Sequence, residues 1–142
     1  MLIVSVGARV CAIPVDQVAE TMRPLPIEPI AGAPAFVLGV AMIRGAATPV
    51  VDLGALVTSG TSSATWQRFV TIKVGDRRVA IGVDRVIGLR DVDRISELPP
   101  LLRDAGADVI AALGTVDAEL LFVLRMARLV PDATWAAIAE SR

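Results

Sequence analysis

Short apolar runs, broken by glycine and polar residues, dominate the chain, and the first of them predict a β-hairpin. Residues 2–6 and 10–13 are strand-like runs that flank a turn beginning at Gly7. Glycine adopts the positive φ that a tight hairpin turn requires. The same pattern recurs over 69–83, around Gly75, and predicts a second hairpin.

The two hairpins belong to an internal repeat. Residues 6–18 align without gaps on residues 74–86, and eight of the 13 pairs are identical. The glycine and aspartate positions match as well as the apolar ones, which argues against chance similarity in a Val-rich chain. Farther along, 49–57 resembles 122–130 after a change of offset. The chain therefore consists of two similar halves, the second with a few inserted residues.

Prolines shape the segment that follows the first hairpin. Pro14 suits the first position of a short helical turn, which the apolar spacing continues to Ala19. The four prolines that come next exclude a long helix. Strands are predicted at 41–43 and 46–52, and Pro49 inside the second indicates an edge position or a bulge.

Two further segments predict a loop and a terminal helix. Residues 58–65 are Ser, Thr, Gly and Ala, a composition typical of a mobile loop between the halves. Apolar residues after Asp132 predict a helix over 132–141 that packs back on the body. Two small barrels with a shared core are expected, because each barrel alone would bury too little apolar surface.

Composition matters mainly for what it excludes. The chain is 54% hydrophobic and 20% charged, which supports a large core rather than disorder. Its 14 basic and 15 acidic residues leave no cationic excess for nucleic acid. With no His and one Cys, the chain cannot form a His-based nucleophile pair, a His-ligated zinc site or an internal disulfide. We expect no cofactor and no metal.

The apolar runs are too short to cross a membrane. The longest, 34–43, falls well below the roughly 20 residues of a spanning helix. The N-terminus lacks the basic region of a signal peptide. These features predict a cytoplasmic protein without direct membrane insertion.

A series of motifs lies between residues 34 and 53. A Pro-x-Phe-x-x-Gly turn runs from Pro34 to Gly39, a strand ends in Arg44-Gly45, and Pro49-Val50-Val51-Asp52-Leu53 follows. In these anchors the chain resembles the CheW-like coupling proteins of bacterial chemotaxis, and the resemblance extends from the first strand to about Val130. It implies a mainly β fold of two SH3-like five-stranded β-barrels on a shared hydrophobic core, with short helices and a C-terminal helix.

The expected organisation is a single CheW-like domain over 1–142. Subdomain 1 covers approximately 9–65, and subdomain 2 covers approximately 1–8 together with 66–130. The C-terminal helix at 132–141 follows them.

The resemblance implies a non-catalytic adaptor, not an enzyme. Such a protein couples the cytoplasmic tips of methyl-accepting chemotaxis receptors to the regulatory domain of the histidine kinase CheA, in receptor arrays at the inner face of the membrane. The alternative from another class is a small-barrel module that binds nucleic acid or oligosaccharide. Such modules need aromatic platforms and positive charge, and this chain has three Phe, two Trp and no Tyr.

Candidate site residues follow from the resemblance and the repeat. The expected receptor-binding groove contains Val18, Glu20, Thr21, Gly39 and Arg44. An apolar groove with charges at its rim suits an amphipathic receptor helix. The repeat position of Glu20 is Gly88, so the acid is not a requirement of the fold. The candidates for the kinase interface are Gly45, Arg68, Arg77, Arg78 and Arg85, although such a basic run is also typical of a solvated strand face.

Several of these residues have simpler interpretations. Arg44 either clamps a partner carboxylate or braces the fold by pairing with Asp52 or with loop carbonyls. Gly39 and Gly45 serve a turn with positive φ or the close approach of a partner, and Val18 is either groove or core.

Three other residues complete the sequence predictions. Asp52 is expected to cap the turn after it. Cys11 is expected to be buried and inert. The two tryptophans, Trp66 and Trp135, are candidate interface anchors.

Overall fold

Alternating apolar positions and glycine turns give this chain a series of short strands. The structure is a computed structural model that describes residues 1–7, 9–33, 36–58, 67–97, 110–116 and 119–124, with Trp135 and Ile138. In chain order the elements of this part are β1 (Leu2–Val6), β2 (Arg9–Ile13), a 3-10 turn (Val15–Gln17), β3 (Val18–Met22), β4 (Val37–Ile43), β5 (Ala46–Asp52), α1 (Leu53–Thr58), β6 (Arg68–Val74), β7 (Arg77–Val83), β8 (Arg85–Leu89), β9 (Asp93–Glu97), β10 (Ile110–Val116) and β11 (Glu119–Leu124).

The strands form two sheets. The six-stranded sheet has the order β8-β1-β2-β11-β10-β9, and the five-stranded sheet has the order β3-β6-β7-β5-β4. Both predicted hairpins are present with matching registers, because Val6 lies opposite Arg9 in the first and Val74 lies opposite Arg77 in the second. The internal repeat is therefore also a structural repeat.

The two halves exchange their hairpins. The β1–β2 hairpin of the first half lies between β8 and β11 of the second half, and the β6–β7 hairpin lies between β3 and β5 of the first half. The two equivalent junctions, β2 with β11 and β5 with β7, are both parallel. Each sheet thus combines the hairpin of one half with the remaining strands of the other.

The predicted subdomain boundaries, 9–65 and 1–8 with 66–130, stay a prediction. Strand pairing crosses them at three strands. β2 pairs with β1 and β11, while β6 and β7 pair with β3 and β5. The repeat indicated two halves, but a local pattern carries no information about which half supplies the partner of a strand.

A single large cluster of buried side chains joins the two sheets. Leu2, Val4 and Ile13 from the six-stranded sheet pack in the same cluster as Ile72 and Ile81 from the five-stranded sheet. The predicted mainly β fold with a shared hydrophobic core is confirmed. Among the described residues the two sheets have six and five strands.

Cys11 lies in this cluster with its side chain fully buried. Burial raises the pKa of its thiol to about 12, and the nearby Arg9 lowers the pKa only in part. The predicted burial of Cys11 is confirmed, and its inertness stays a prediction, which the raised pKa supports because a neutral thiol is a poor nucleophile.

Local geometry corrects the predictions around Pro14 and Pro49: the helical turn is shorter than expected, and the strand of Pro49, β5, is neither an edge strand nor bulged at Pro49. The helical turn ends at Gln17, whose N–H donates to the Pro14 carbonyl at 3.0 Å, and β3 then begins at Val18. Pro49 lies opposite Val40, whose backbone N–H and C=O both bond to Glu28 on the other side of β4. Pro49 therefore turns its missing N–H away from β4, and pairing with β7 begins only at Val50.

The carboxylate of Asp52 caps the helix that follows it. Asp52 is buried, and its Oδ1 accepts a hydrogen bond from the N–H of Ala55 at 3.2 Å. This confirms the predicted capping role.

Two predicted segments fall largely outside the described residues. The Ser/Thr stretch from 59 to 65 is one, with Trp66 beside it, and the C-terminal helix at 132–141 is the other. The helix is not confirmed, because only Trp135 and Ile138 of that segment are described. In the part of the chain that the structure covers, no helix has the length and hydrophobicity needed to span a bilayer.

Candidate interaction site

Arg44 occupies a strained position at the tip of the β4–β5 hairpin. Ile43 lies opposite Ala46, so Arg44 and Gly45 form a two-residue turn, with φ of 51° and 79°. Two successive positive φ values match the right-handed twist of the flanking strands. Arginine rarely adopts this region, and no other described non-glycine residue has a positive φ. The turn projects a long cationic side chain from the end of the sheet.

Glu20 lies in β3 next to an irregularity in the strand pairing. The register with β6 shifts between Val18 and Glu20. The hydroxyl of Thr71, in β6, fills this break: it accepts from the Glu20 N–H at 3.1 Å and donates to the Glu20 carbonyl at 3.3 Å. Thr71 is buried, and the N–H and C=O of Glu20 provide the hydrogen-bond partners that its hydroxyl needs. These bonds also hold in place the backbone from which the Glu20 carboxylate extends.

Glu20 and Arg44 form a bidentate ion pair. Arg44 Nε donates to Oε1 at 2.8 Å, and Nη2 donates to Oε2 at 2.6 Å. The arginine side chain is 75% exposed and the glutamate side chain 25% exposed. Because β3 and β4 are the two edge strands of the five-stranded sheet, this contact shows that the sheet curls until its edges meet at one end.

The ion pair changes the pKa of both groups, and each change favours the charged form of the group. The hydrogen bond from Arg44 lowers the pKa of Glu20 below its ordinary value, and the positive charges of Arg44 and Arg78 act in the same direction. The hydrogen bond to Glu20 raises the pKa of Arg44. Both groups therefore stay charged throughout the neutral range.

A cavity of about 580 Å³ opens beside this ion pair. Its walls come from β3 and β6, from the tips of the β4–β5 and β6–β7 hairpins, and from the C-terminal segment. The lining residues are Glu20, Ile43, Arg44, Ala46, Ala47, Thr48, Thr71, Asp76, Arg77, Arg78, Trp135 and Ile138. The site thus combines an apolar wall with three arginines and two acids, a combination suited to a partner that presents apolar and charged side chains together.

Trp135 closes one side of the cavity. The guanidinium of Arg77 lies over its indole ring, 4.7 Å from the centroid, and the pair is within the range of a cation–π interaction. Trp135 also packs against the shared core. The predicted role of Trp135 as an interface anchor stays a prediction, although its side chain does line the site.

The structure brings together some of the predicted groove residues and not others. Val18 is half-buried and packs against the shared core, as its repeat partner Val86 does, and Thr21 is exposed on β3. Gly39 lies beneath the chain's own segment 28–29. A Cβ there would collide with the Glu28 carbonyl group, 2.7 Å from its carbon. Gly39, whose φ is 146°, therefore lacks a side chain because segment 28–29 of the same chain passes directly over it.

The candidates for the kinase interface fall into two groups. Arg77 and Arg78 line the first cavity, with Gly45 at the turn beside Arg44. Arg68 and Arg85 line a second cavity of about 720 Å³, together with Arg23 and Asp84. The two groups lie at opposite ends of the β6–β7 hairpin, about 17 Å apart along the strand. They do not form one continuous basic face on this hairpin.

Sequence reasoning missed two features of the site. Arg44 was expected either to clamp a partner carboxylate or to brace loop carbonyls or Asp52, and its ion-pair partner within the chain is Glu20. Thr71 was not singled out, although it is the one polar residue in the run 69–72 and therefore carried a signal of its own. The function of its hydroxyl depends on a strand break that only the three-dimensional register reveals.

The pH dependence of the ion pair follows from the lowered pKa of Glu20. A carboxylate with a lowered pKa contributes to stability above its ordinary pKa, and the contribution disappears as the pH falls through the lowered value. We therefore expect the pair to persist from pH 8 to about pH 5 and to break only below the ordinary glutamate range near 4. A carbon-detected NMR titration of the Glu20 carboxyl carbon measures this, and a midpoint above that of free glutamate would contradict it.

Comparisons with known proteins identify what the chain and its fold are similar to. The model of the CheW-like domain matches residues 1–134. Protein FrzA of Myxococcus xanthus is 31% identical over 141 residues, which cover 95% of this chain and 87% of that protein. The crystal structure of the scaffolding protein TtCheW from Thermoanaerobacter tengcongensis has the same fold, with a TM-score of 0.77 and 20% identity over 90% of this chain and 89% of that one.

The family assignment rests on the extent of these matches. The domain model spans nearly the whole chain, and the relative from Myxococcus aligns along almost its full length. The chain therefore belongs to the CheW-like domain family, a class of adaptor or scaffold proteins in chemotaxis-type signalling.

Proposed function

We propose that this protein is a cytoplasmic, non-catalytic adaptor that couples methyl-accepting chemotaxis receptors to the histidine kinase CheA. It binds the cytoplasmic tip of the receptor through the site around Glu20 and Arg44, and it binds the regulatory domain of the kinase through a separate surface. In this role it is recruited to receptor arrays at the inner face of the membrane.

The cavity beside the Glu20–Arg44 pair is the observation that carries this proposal. A helical hairpin from a receptor tip presents one apolar stripe flanked by charged residues. The cavity offers Ile43, Ala46 and Ala47 as an apolar wall, with the bidentate pair at its rim. Because the pair is preformed, partner binding costs little ordering of these two side chains.

The second cavity supports a separate site for the kinase. Arg68 and Arg85 lie together there, at the far end of the β6–β7 hairpin from the first cavity. Two partners could therefore be bound at once without competing for the same surface. Arg77 and Arg78 line the first cavity, and Gly45 lies in the turn beside Arg44, so the kinase contact falls mainly to Arg68 and Arg85.

A binding experiment tests the proposal directly. Purified protein is sedimented with membranes or nanodiscs carrying receptor-tip fragments and, separately, captured on the immobilised regulatory domain of the kinase. We expect binding to both at concentrations up to about 100 μM. An absence of binding to either partner would refute the adaptor function, and retention on heparin at physiological salt would favour the nucleic-acid or oligosaccharide alternative.

Replacing Arg44 with Ala separates partner contact from internal bracing. We expect Arg44→Ala to weaken receptor binding about tenfold, because the rim loses its cation and Glu20 is left without its partner. The thermal midpoint should fall by no more than about 3 °C, because exposed ion pairs contribute little to stability. Binding is measured by isothermal titration calorimetry and stability by circular dichroism.

A matched arginine provides the control. Arg23→Ala removes a cation from the second cavity and should leave receptor binding unchanged. If Arg44→Ala lowered the thermal midpoint strongly while the affinity of the remaining folded protein stayed the same, the residue would be a brace and not a contact.

A further inference from the structure

The outer edge of β8 carries an apolar stripe bounded by opposite charges. β8 pairs with β1 on one side, and no strand that the structure describes pairs with its other side. Alternate side chains along it are exposed: Arg85, Ile87 at 37% and Leu89 at 61%, followed by the exposed Asp91. The stripe therefore reads cation, apolar, apolar, anion.

The backbone of this edge is oriented for a further strand. The Arg90 N–H donates to the Met1 carbonyl at 3.0 Å, and the Met1 amino group donates to the Arg90 carbonyl at 3.0 Å. Both backbone groups of Arg90 thus face β1, so those of Leu89 point to the open edge by strand alternation, and the register shift at Ile87 interrupts this alternation beyond Gly88. The Leu89 carbonyl indeed accepts a bond from outside the sheet, from Nη1 of Arg90 at 2.7 Å.

The stripe is complementary to itself. In an antiparallel pair of two β8 edges centred on Gly88, Ile87 of one copy lies opposite Leu89 of the other. Arg85 lies opposite Asp91 in the same register, and the two-fold axis repeats both contacts.

We propose that β8 is a self-association surface, through which a second copy of this chain adds its own β8 in antiparallel, two-fold symmetric pairing. The occupant is a second copy because antiparallel pairing of two identical stripes places the cation of each copy opposite the anion of the other. The contact is isologous, so it closes at a dimer and does not propagate. It shares Arg85 with the surface proposed for the kinase, so kinase binding is measured beside self-association in the same variants.

Two features of the edge keep this association weak. The pairing of β8 with β1 is irregular between Ile3 and Val4, and irregular edges twist away from a partner. The guanidinium of Arg90 also donates a hydrogen bond to the Leu89 carbonyl, and this bond must break before a second strand can pair there. A strand pair over residues 85–91 buries less surface than a standard interface, so we expect a dissociation constant on the order of 100 μM.

Charge reversal tests the register. Sedimentation velocity from about 10 μM to 1 mM should show a monomer–dimer equilibrium. Arg85→Asp and Asp91→Arg should each weaken it about tenfold, because each variant places two pairs of like charges opposite one another. An equimolar mixture of the two variants should dimerise like the wild type, because every cross-strand pair is then of opposite sign.

A charge outside the paired edge provides the control for these variants. Lys73→Asp reverses a charge on β6 and should leave the equilibrium unchanged, and circular dichroism verifies that each variant is folded. A protein that stays monomeric to 1 mM, or variants whose mixture does not recover dimerisation, would overturn the proposal. Loss of kinase binding in the variants without any change in self-association would assign the edge to the kinase and overturn it as well.

Discussion

Gly39→Ala should destabilise the protein by about 3 kcal/mol or more, with a fall in thermal midpoint of about 10 °C. A Cβ at this position would lie 2.7 Å from the Glu28 carbonyl carbon and 2.9 Å from the Pro29 Cα. Both atoms are backbone, and reciprocal hydrogen bonds of 2.8 Å between Glu28 and Val40 hold this crossing in place. The clash therefore cannot be relieved by a side-chain rotation. The φ of 146° adds strain for any residue with a Cβ.

Gly45→Ala is the matched control for this prediction. Its φ is 79°, but a Cβ would meet no atom within 4 Å. Only the backbone strain of the left-handed region remains, so we expect a loss of about 1 kcal/mol. Thermal and urea denaturation of the two variants measures the difference. Equal losses would show that conformational strain, and not the crossing of segments, determines the need for Gly39.

Ile81→Ala should cost about 2 to 5 kcal/mol, a large part of the stability of a domain of this size. Ile81 is fully buried in β7, within the cluster that joins the two sheets. Because side chains from both sheets line the resulting cavity, the two sheets should lose protection together. Native-state hydrogen exchange should show equal decreases in the opening free energy for β2 and β7.

Ile87→Ala removes the same atoms from an exposed position on β8. At a concentration well below that of dimer formation, it should change the free energy of unfolding by less than about 0.5 kcal/mol. If Ile81→Ala lowered the protection of the five-stranded sheet alone, the core would consist of two separate units, contrary to its packing.

The elements of this fold follow closely from local sequence. Hairpins with matching turns were predicted from Gly7 and Gly75, and the cap from Asp52, because each depends on residues next to one another. The shared core was predicted from size, since neither small barrel could bury enough surface alone. Burial of Cys11 followed from alternation within a single strand.

The contacts between distant segments could not be predicted in this way. The exchange of hairpins depends on pairings such as Val50 with Ala80, and alternation is the same whichever half supplies the partner. The crossing over Gly39 and the strand break at Thr71 are likewise properties of register. At the site, resemblance identified Glu20 and Arg44, but only the curl of the five-stranded sheet explains why residues 24 positions apart meet.

The exchanged hairpins have a consequence for any cut in the chain between residues 58 and 67. Each fragment would keep one hairpin but lose the strands that flank it, so neither could complete a sheet by itself. Mixed fragments should instead reassemble, since each supplies the strands that the other lacks. Two identical half-length chains could build the same architecture if each inserted its hairpin into the sheet of the other. Joining them in one polypeptide turns a concentration-dependent association into an intramolecular one.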